Sequence, residues 1–259
     1  MSQDVFLGGP YNHAFYATFT HLIAHILGIK AEKMIYVTGD THIPHDIHKL
    51  NSHNFPEGKS LTKDDVVIIL GDFGLLWNNI PDKEELWWTN WLNSQPWTTL
   101  FVDGNHENFY RLNQLPQRQL FGGTVGEVSP SIFHLKRGEL YTIANRSFFT
   151  FGGATSIDKE HRVEHLSWWP EEVPSYAEMS YGLTQLQTKP DFILTHTCPA
   201  SLISGFLHDY IKCNDPTSKY LEQIWHNHPD FEHWYFGHMH VDATWHNFTC
   251  CYNKVIQIL

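Results

Sequence analysis

Cysteine is scarce in this chain and is not spaced as in common metal or disulfide sites. The sequence has 4 cysteines in 259 residues, at Cys198, Cys213, Cys250 and Cys251, with no C-x-x-C pair. Neighbouring residues of a strand point to opposite faces, so Cys250 and Cys251 are not expected to bond to each other. A disulfide framework is therefore disfavoured, and buried free thiols in a reducing, cytoplasmic setting are expected.

Basic residues are also few. The chain has 17 Lys and Arg against 28 Asp and Glu, and its formal net charge is −11 at pH 7. Proteins that bind long duplexes neutralise the phosphate backbone with Lys and Arg. An extended nucleic-acid partner is therefore not expected.

Long apolar runs that could cross a bilayer are lacking as well. An amphipathic stretch near the N-terminus has apolar residues at helical spacing. These are Phe15, Phe19, Leu22, Ile23, Ile26 and Leu27. Histidines interrupt the stretch, and the basic n-region of a signal peptide is missing. We expect no membrane association, an N-terminal extension over residues 1–33, and one domain over residues 34–259. The extension is interpreted first as a packing helix, with an oligomerisation element as the alternative.

Histidine is abundant, with 19 residues, and several lie in short blocks with glycine, carboxylate or amide side chains. The blocks are G-D-T-H at 39–42, G-D at 71–72, G-N-H-E at 104–107, T-H at 195–196 and G-H-M-H at 237–240. Each follows an apolar run that is typical of a buried strand. The runs lie at 34–38, 66–70, 99–102, 192–194 and 234–236.

The position of these blocks predicts one shared cleft. In open sheets that are covered on both faces, sites gather at the carboxyl ends of strands. Glycine beside a ligand allows close approach of the backbone. Carboxylate, imidazole and amide ligands without thiolate suit Mn²⁺, Fe, Zn²⁺, Ni²⁺ or Co²⁺. The residues thus predict a two-metal site and leave the identity of the ions open.

The order of the five blocks resembles the calcineurin-like metallophosphoesterase superfamily over about residues 34–259. A single D-x-H or G-H-x-H motif is weak, whereas all five in the family's order are specific. The resemblance implies a four-layer α/β sandwich of two mixed β-sheets flanked by helices, with a dimetal site at strand C-terminal ends. The residues alone support only an α/β domain with buried strands.

The resemblance also implies the ligands of two divalent ions, with manganese expected first. Those of the first ion would be Asp40, His42 and His240, and those of the second would be Asn105, His196 and His238. Asp72 would bridge the two ions. Such a pair can activate a shared hydroxide and neutralise phosphate oxygens during in-line attack.

His106 is implied as a catalytic residue beside Asp72. It would protonate or stabilise the leaving oxygen, a role that contributes roughly 10²–10⁴-fold in rate. Glu107 or Asp103 is expected to orient its ring.

Substrate contacts are expected from Arg162 and Asn105. Arg162 lies in a loop after Phe151 that is expected to roof the cleft, and its guanidinium suits phosphate oxygens. In the same loop, Trp168 or Trp169 is a candidate for stacking on a base.

These features predict a metal-dependent phosphoesterase that acts on a small phosphorylated substrate, such as a phosphodiester or a nucleotide. Protein phosphatases of the superfamily continue the second block as G-D-x-V-D-R-G, and here the sequence is G-D-F-G-L at 71–75, so their phosphate-binding arginine is absent. The alternatives are a nuclease on short or single-stranded DNA, which needs a basic channel, and a non-catalytic protein-binding scaffold. An oligomer is left open.

Local patterns predict further elements. Residues 82–93 are expected to form a helix with an apolar stripe of Leu86, Trp87, Trp91 and Leu92. Strands are predicted at 139–144, 147–151, 243–248 and 250–258, and helices at 175–187 and 215–224. Histidines outside the blocks are expected to be surface or core residues, with His208 left open.

Overall fold

A computed structural model describes residues 33–206 and 215–259. The helices are α1 (Lys83–Ser94), α2 (Phe109–Leu112), α3 (Tyr176–Gln185), α4 (Ala200–Phe206) and α5 (Pro216–Asn227). The strands are β1 (Ile35–Thr38), β2 (Val66–Leu70), β3 (Thr98–Val102), β4 (Gln117–Leu120), β5 (Gly123–Ser129), β6 (Ile132–Leu135), β7 (Leu140–Ile143), β8 (Arg146–Phe151), β9 (Phe192–Thr195), β10 (His233–Phe236), β11 (Ala243–Trp245), β12 (Phe248–Cys250) and β13 (Ile256–Gln257). Short 3₁₀ turns lie at Ile47–Leu50, Pro56–Ser60, Lys159–His161 and Pro170–Glu172.

The strands form two mixed sheets. The first has seven strands in the order β13-β1-β2-β3-β6-β5-β4, and the second has six in the order β11-β12-β10-β9-β8-β7. The central strands of each sheet are parallel, and antiparallel strands close both edges. Parallel strands place their carboxyl ends at one edge, which is where the predicted ligand blocks follow.

The side chains of the central strands point alternately into two buried layers, one on each face of the sheet. In β1, Ile35 and Val37 face the second sheet, where they pack in a cluster with Phe148 and Leu194. Tyr36 faces the other way, into a cluster with Trp88 of α1. A third cluster joins the outer face of the second sheet to α5. Both faces of the central strands are thus covered, which explains their continuous apolar runs.

The predicted sandwich is confirmed, and the strands before the five blocks lie within a residue or two of their predicted bounds. The capping box that opens α3 is present between Ser175 and Glu178. The predicted strands at 243–248 and 250–258 are wrong in extent, because a turn with His246 at φ 51° separates β11 from β12. The predicted N-terminal helix and His208 lie outside the described residues.

Half of the predicted apolar stripe of α1 is confirmed, since Leu92 is buried and Trp91 packs against the core. The other half is wrong. Leu86 and Trp87 are each 56% exposed, and the buried residues of this helix are Glu85, Trp88 and Leu92. Glu85 faces the protein because both its carboxylate oxygens accept from Arg111 of α2, each at 2.6 Å. The buried face of α1 therefore includes the paired Glu85, which the pattern of apolar residues did not predict.

Arg111→Met should destabilise the fold by about 3 kcal/mol, since it leaves the buried Glu85 carboxylate without its partner. Replacing both residues, as Glu85→Leu with Arg111→Met, should recover most of that loss because no unpaired charge remains. Urea unfolding of the three proteins measures the difference. A single variant as stable as wild type would contradict the pairing.

Cys250 and Cys251 lie in different clusters, Cys250 on the outer face of the second sheet and Cys251 between the sheets. Both are buried thiols, as the alternation of a strand requires. Within the described part of the chain, no helix has the length and apolar character needed to span a bilayer.

Candidate metal centre

The predicted ligands lie at the carboxyl ends of five strands from both sheets. β1 leads to Asp40 and His42, β2 to Asp72, and β3 to Asn105 and His106. On the second sheet, β9 leads to His196, and β10 leads to His238 and His240. The structure thus brings together residues that are as far apart in the chain as Asp40 and His238, whose backbone N–H donates to both Asp40 carboxylate oxygens at 3.1 and 3.0 Å.

Two glycines allow this convergence. A Cβ on Gly71, which has φ +90°, would lie 2.1 Å from Nδ1 of His196. A Cβ on Gly104 would lie 2.0 Å from Oδ1 of Asp72. Since no larger residue fits at these two positions, glycine permits the strands' ends to meet.

Several ligand positions have an uncommon backbone conformation. His42, Asp72, His238 and His240 have φ values of 35°, 46°, 65° and 51°. Non-glycine residues rarely adopt positive φ, and such residues cluster at functional sites, where the surrounding structure maintains them. The backbone therefore turns these side chains into the shared cleft.

The side chains form two ligand groups. The first contains Asp40, His42, Asp72 and His240, and the second contains Asp72, His196 and His238; within each group the candidate ligand atoms lie within 4.8 Å of one another. Asp72 belongs to both. Asn105 joins the second group, because its Oδ1 lies 3.0 Å from His196 Nε2.

Two histidines of these groups present a lone pair to the cleft. His196 Nδ1 lies 2.9 Å from the carbonyl oxygen of Leu70, and a carbonyl only accepts, so the proton of the neutral ring is on Nδ1. His42 Nδ1 likewise lies 2.8 Å from Oδ2 of Asp46. The Nε2 atoms then face Asp72, at 3.4 Å from His196 and 3.2 Å from His42. The two Nε2 atoms and the Asp72 carboxylate are then acceptors that face one another with no proton between them. Such an arrangement suits the binding of divalent cations.

Burial controls the charges of this site. Burial raises the pKa of Asp40 to about 7, against the opposing effect of His196. Burial would also raise the pKa of Asp72, but the neighbouring histidines, His196 foremost, hold it well below its ordinary value. Burial and the nearby His196 lower the pKa of His238 to about 3. His238 is thus neutral at pH 7, as a metal ligand must be.

Two supporting residues were missed from the sequence. Asp46 orients His42, and its i+4 spacing from that histidine is a local signal that could have identified it. Lys49 is buried, and its ammonium donates to the carbonyl oxygens of Gly39 and Asp40, both at 2.9 Å, and to that of Tyr252. This lysine holds the first ligand block against the C-terminal part of the chain.

His106 contacts neither of the residues that were expected to orient it. Its Nδ1 lies 3.0 Å from Nη1 of Arg162, and because a guanidinium only donates, the ring proton must be on Nε2. Burial lowers the pKa of His106, and Arg162 adds to this effect while Asp72 opposes it. The predicted role of Glu107 and Asp103 is wrong, and Arg162 takes their place.

Glu107 and Asp103 have other partners. Glu107 accepts from the backbone N–H of Phe73 at 2.7 Å. Asp103 is 1% exposed and accepts from His134 at 3.0 Å and from Nε of Arg137 at 2.8 Å. Burial would raise the pKa of Asp103, but Arg137 holds it at about 2. Both acids therefore stabilise the loop that carries Asn105 and His106.

Arg162 lies at the edge of the cleft, and Asp158 accepts from its Nε and Nη2, both at 2.8 Å. Its predicted contact with substrate stays a prediction. Trp169 is 1% exposed and belongs to the core, so its predicted stacking on a base is wrong. Trp169 packs edge-on against Trp77 at 5.4 Å between ring centroids. Trp77, which the sequence reasoning missed, lines a cavity of about 650 Å³ with His42, His106 and Arg162.

The sandwich and its two ligand groups define a protein that binds divalent metal at the edge of its sheets. The model of the calcineurin-like phosphoesterase family matches residues 33–242. The chain belongs to that family. The resemblance seen in the sequence motifs is confirmed.

A second similarity concerns the N-terminal part. The thymidylate synthase model matches residues 1–53. A probable thymidylate synthase of Escherichia phage T5 is 49% identical over 45 residues, which cover 17% of this chain and 16% of that protein. One from Schizosaccharomyces pombe is 47% identical over 45 residues, covering 17% of this chain and 7% of its own length.

These matched segments are a small part of the relatives. The thymidylate synthase and phosphoesterase matches share residues 33–53, so the G-D-T-H block lies within both. Whether the chain divides at residues 33 and 34 stays a prediction.

Proposed function

We propose that this chain hydrolyses small phosphodiesters or nucleotides with two divalent ions, manganese first among the candidates. The observation that carries the proposal is the pair of ligand groups that share Asp72. When bound, two such ions activate water for attack on phosphorus and neutralise the phosphate oxygens. The scaffold alternative predicts lost ligands, whereas every ligand position of the family's motifs is filled here.

The side chains divide the work around the phosphate. Asp40, His42 and His240 would hold one ion, while Asn105, His196 and His238 would hold the other. The deep burial of Asp40 and Asp72, at 0% and 1% exposure, excludes water from their far sides. Their charges are then directed into the cleft, where a cation is favoured in the low dielectric.

His106 assists the leaving group as a hydrogen-bond donor. Arg162 occupies its Nδ1, so the neutral ring presents Nε2–H to the leaving oxygen and stabilises the negative charge that builds there. The ring keeps this proton throughout, and the departing oxygen takes its own proton from water. This assignment follows from the hydrogen bond of the opposite ring nitrogen.

The cavity beside His106 supports a small substrate. Its volume of about 650 Å³ is within the range of small-molecule sites. Trp77 offers an aromatic surface there, while Asp46 and Glu84 also line it and disfavour a polyanionic strand. A nucleoside or a similar planar group fits this lining better than an extended nucleic acid.

Metal analysis and hydrolysis assays test the proposal together. We expect about two ions per chain, with Mn²⁺-stimulated hydrolysis of bis-p-nitrophenyl phosphate faster than that of p-nitrophenyl phosphate. Chelation should abolish both activities, and added Mn²⁺ should restore them. A chain that binds no metal and shows no turnover would favour the scaffold, and cleavage of a fluorescent oligonucleotide would favour the nuclease.

A further inference from the structure

A buried hydrogen-bond chain runs from Asn105 away from the metal centre. Asn105 Nδ2 lies 3.1 Å from Oγ of Ser156. Ser156 Oγ lies 2.6 Å from Oε2 of Glu172, and the backbone N–H of Ser156 donates to Oε1 of Glu172 at 2.8 Å. Asn105, Ser156 and Glu172 are 5%, 3% and 0% exposed, so water does not compete for these bonds.

The direction of the chain follows from counting protons. A carboxylate only accepts, so both Glu172 oxygens take donors from Ser156, one from its N–H and one from its hydroxyl. The single hydroxyl proton of Ser156 is then used, and its oxygen can only accept from Asn105. The amide of Asn105 must therefore place its NH₂ group towards Ser156 and its Oδ1 towards His196.

We infer that Ser156 and Glu172 are positioning residues that set the orientation of the Asn105 amide and so present its oxygen to the second metal. The inference rests on the proposed function, because it concerns Asn105 as a ligand. A flipped amide would direct its NH₂ group, which has no lone pair to give, at the cation. Glu172 itself belongs to neither ligand group, so its effect on the metal must pass through Asn105.

Arg137 links the segments at the two ends of this hydrogen-bond chain. Its Nη2 donates to the carbonyl oxygens of Glu171 at 2.9 Å and Glu172 at 3.3 Å. Its Nε donates to Asp103, two residues before Asn105. The segment around Glu172 is thus held against the loop that carries the ligand, although 67 positions separate them in the sequence.

The sharpest test is to reverse the direction of donation along the hydrogen-bond chain. In the double variant Asn105→Asp with Glu172→Gln, the amide at position 172 can donate to Ser156 Oγ while its oxygen accepts the Ser156 N–H. The Ser156 hydroxyl then donates to the new carboxylate at position 105, whose other oxygen stays available to the metal. The same three positions are satisfied in the opposite direction.

The measurement is calorimetric Mn²⁺ titration of the four proteins of this cycle. With Asn105 present, Glu172→Gln should weaken one of the two binding steps about 10–100-fold. In the Asn105→Asp background, the same change should strengthen that step, because it removes a second carboxylate that competes for one hydroxyl proton. Each comparison holds position 105 constant, so the charge added by Asn105→Asp cancels.

The possible outcomes separate the two ideas. Two Mn²⁺ sites with an equal effect of Glu172→Gln in both backgrounds would overturn the positioning role and leave the proposed function intact. Wild-type protein that binds no Mn²⁺ would refute both. Ser156→Ala, checked for folding by circular dichroism, gives an independent test: weakening of one step supports the chain, and wild-type affinity for both ions overturns it.

Discussion

Asp72→Asn should weaken both metal sites and abolish turnover, a loss larger than the ~10–100-fold that follows a change in a residue that merely supports a ligand. Among the described residues, Asp72 is the one shared by both ligand groups. Its oxygens lie 3.2 Å from His42 Nε2 and 3.4 Å from His196 Nε2. An uncharged amide has a single acceptor oxygen and cannot serve both groups.

The backbone should tolerate this change. Asp72 has φ 46°, a region in which asparagine is among the best accepted residues after glycine. The backbone N–H of His106 donates to Asp72 Oδ1 at 2.8 Å, and an amide oxygen can accept that bond as well. The expected effect is therefore on charge and ligation, while the fold is kept.

Asp65→Asn is the matched control, because Asp65 directly precedes β2 and Asp72 follows it. Asp65 is equally buried and accepts from the backbone N–H of Met34 at 2.8 Å, at the opposite end of the strand from the site. Metal content and turnover should survive there. Asp72→Asn protein with two bound ions and a normal rate would refute the shared-ligand role.

The ligand blocks were predictable because each is a local event. A buried strand is visible as an apolar run of four or five residues, and the side chain after it lies at the sheet edge whatever the rest of the chain does. Asp40 after β1 and Asp72 after β2 needed no knowledge of their partners. That the blocks converge on one site was predicted from their order, which matches the family, because their spacing alone does not show it.

The supporting contacts were not predictable, because they join residues that are distant in the sequence and have no repeating pattern. Ser156 and Glu172 resemble ordinary loop residues until the structure brings them to Asn105. The contact of Arg162 with His106, 56 positions away in the chain, likewise has no signal in the sequence, and the expected contact of Arg162 with substrate stays a prediction. The orientation of a polar side chain depends on the residue that tertiary folding places beside it, and a sequence pattern does not predict that residue.

Amphipathic patterns failed for a related reason. In α1 the sequence contains more apolar residues than the buried face can take, so Leu86 and Trp87 remain exposed while Glu85 is buried with Arg111. An exposed apolar side chain destabilises a fold only slightly, so the helix can bury a paired acid in place of Leu86 or Trp87. Periodicity detects that the helix exists and does not determine its rotation when charged pairs compete.

His106→Ala should slow the hydrolysis of esters with poor leaving groups by roughly 10²–10³-fold and should affect nitrophenyl esters far less. A leaving alkoxide needs a hydrogen bond to stabilise its charge as the bond to phosphorus breaks, whereas nitrophenolate is stable without one. The tautomer set by Arg162 leaves Nε2–H as the donor that His106 offers to that oxygen. The metal content should stay unchanged, since His106 belongs to neither ligand group.

A series of alkyl and aryl phosphodiesters, graded by leaving-group pKa, measures this effect as the slope of rate against pKa. The slope should become steeper in His106→Ala than in wild type, because the uncatalysed departure depends more strongly on the basicity of the leaving oxygen. His106→Gln, which keeps an N–H donor but cannot transfer a proton, should recover part of the wild-type slope, because the role is hydrogen-bond donation. Equal losses across the whole series would show that His106 acts on binding or on the metals, and its assignment to the leaving group would then be wrong.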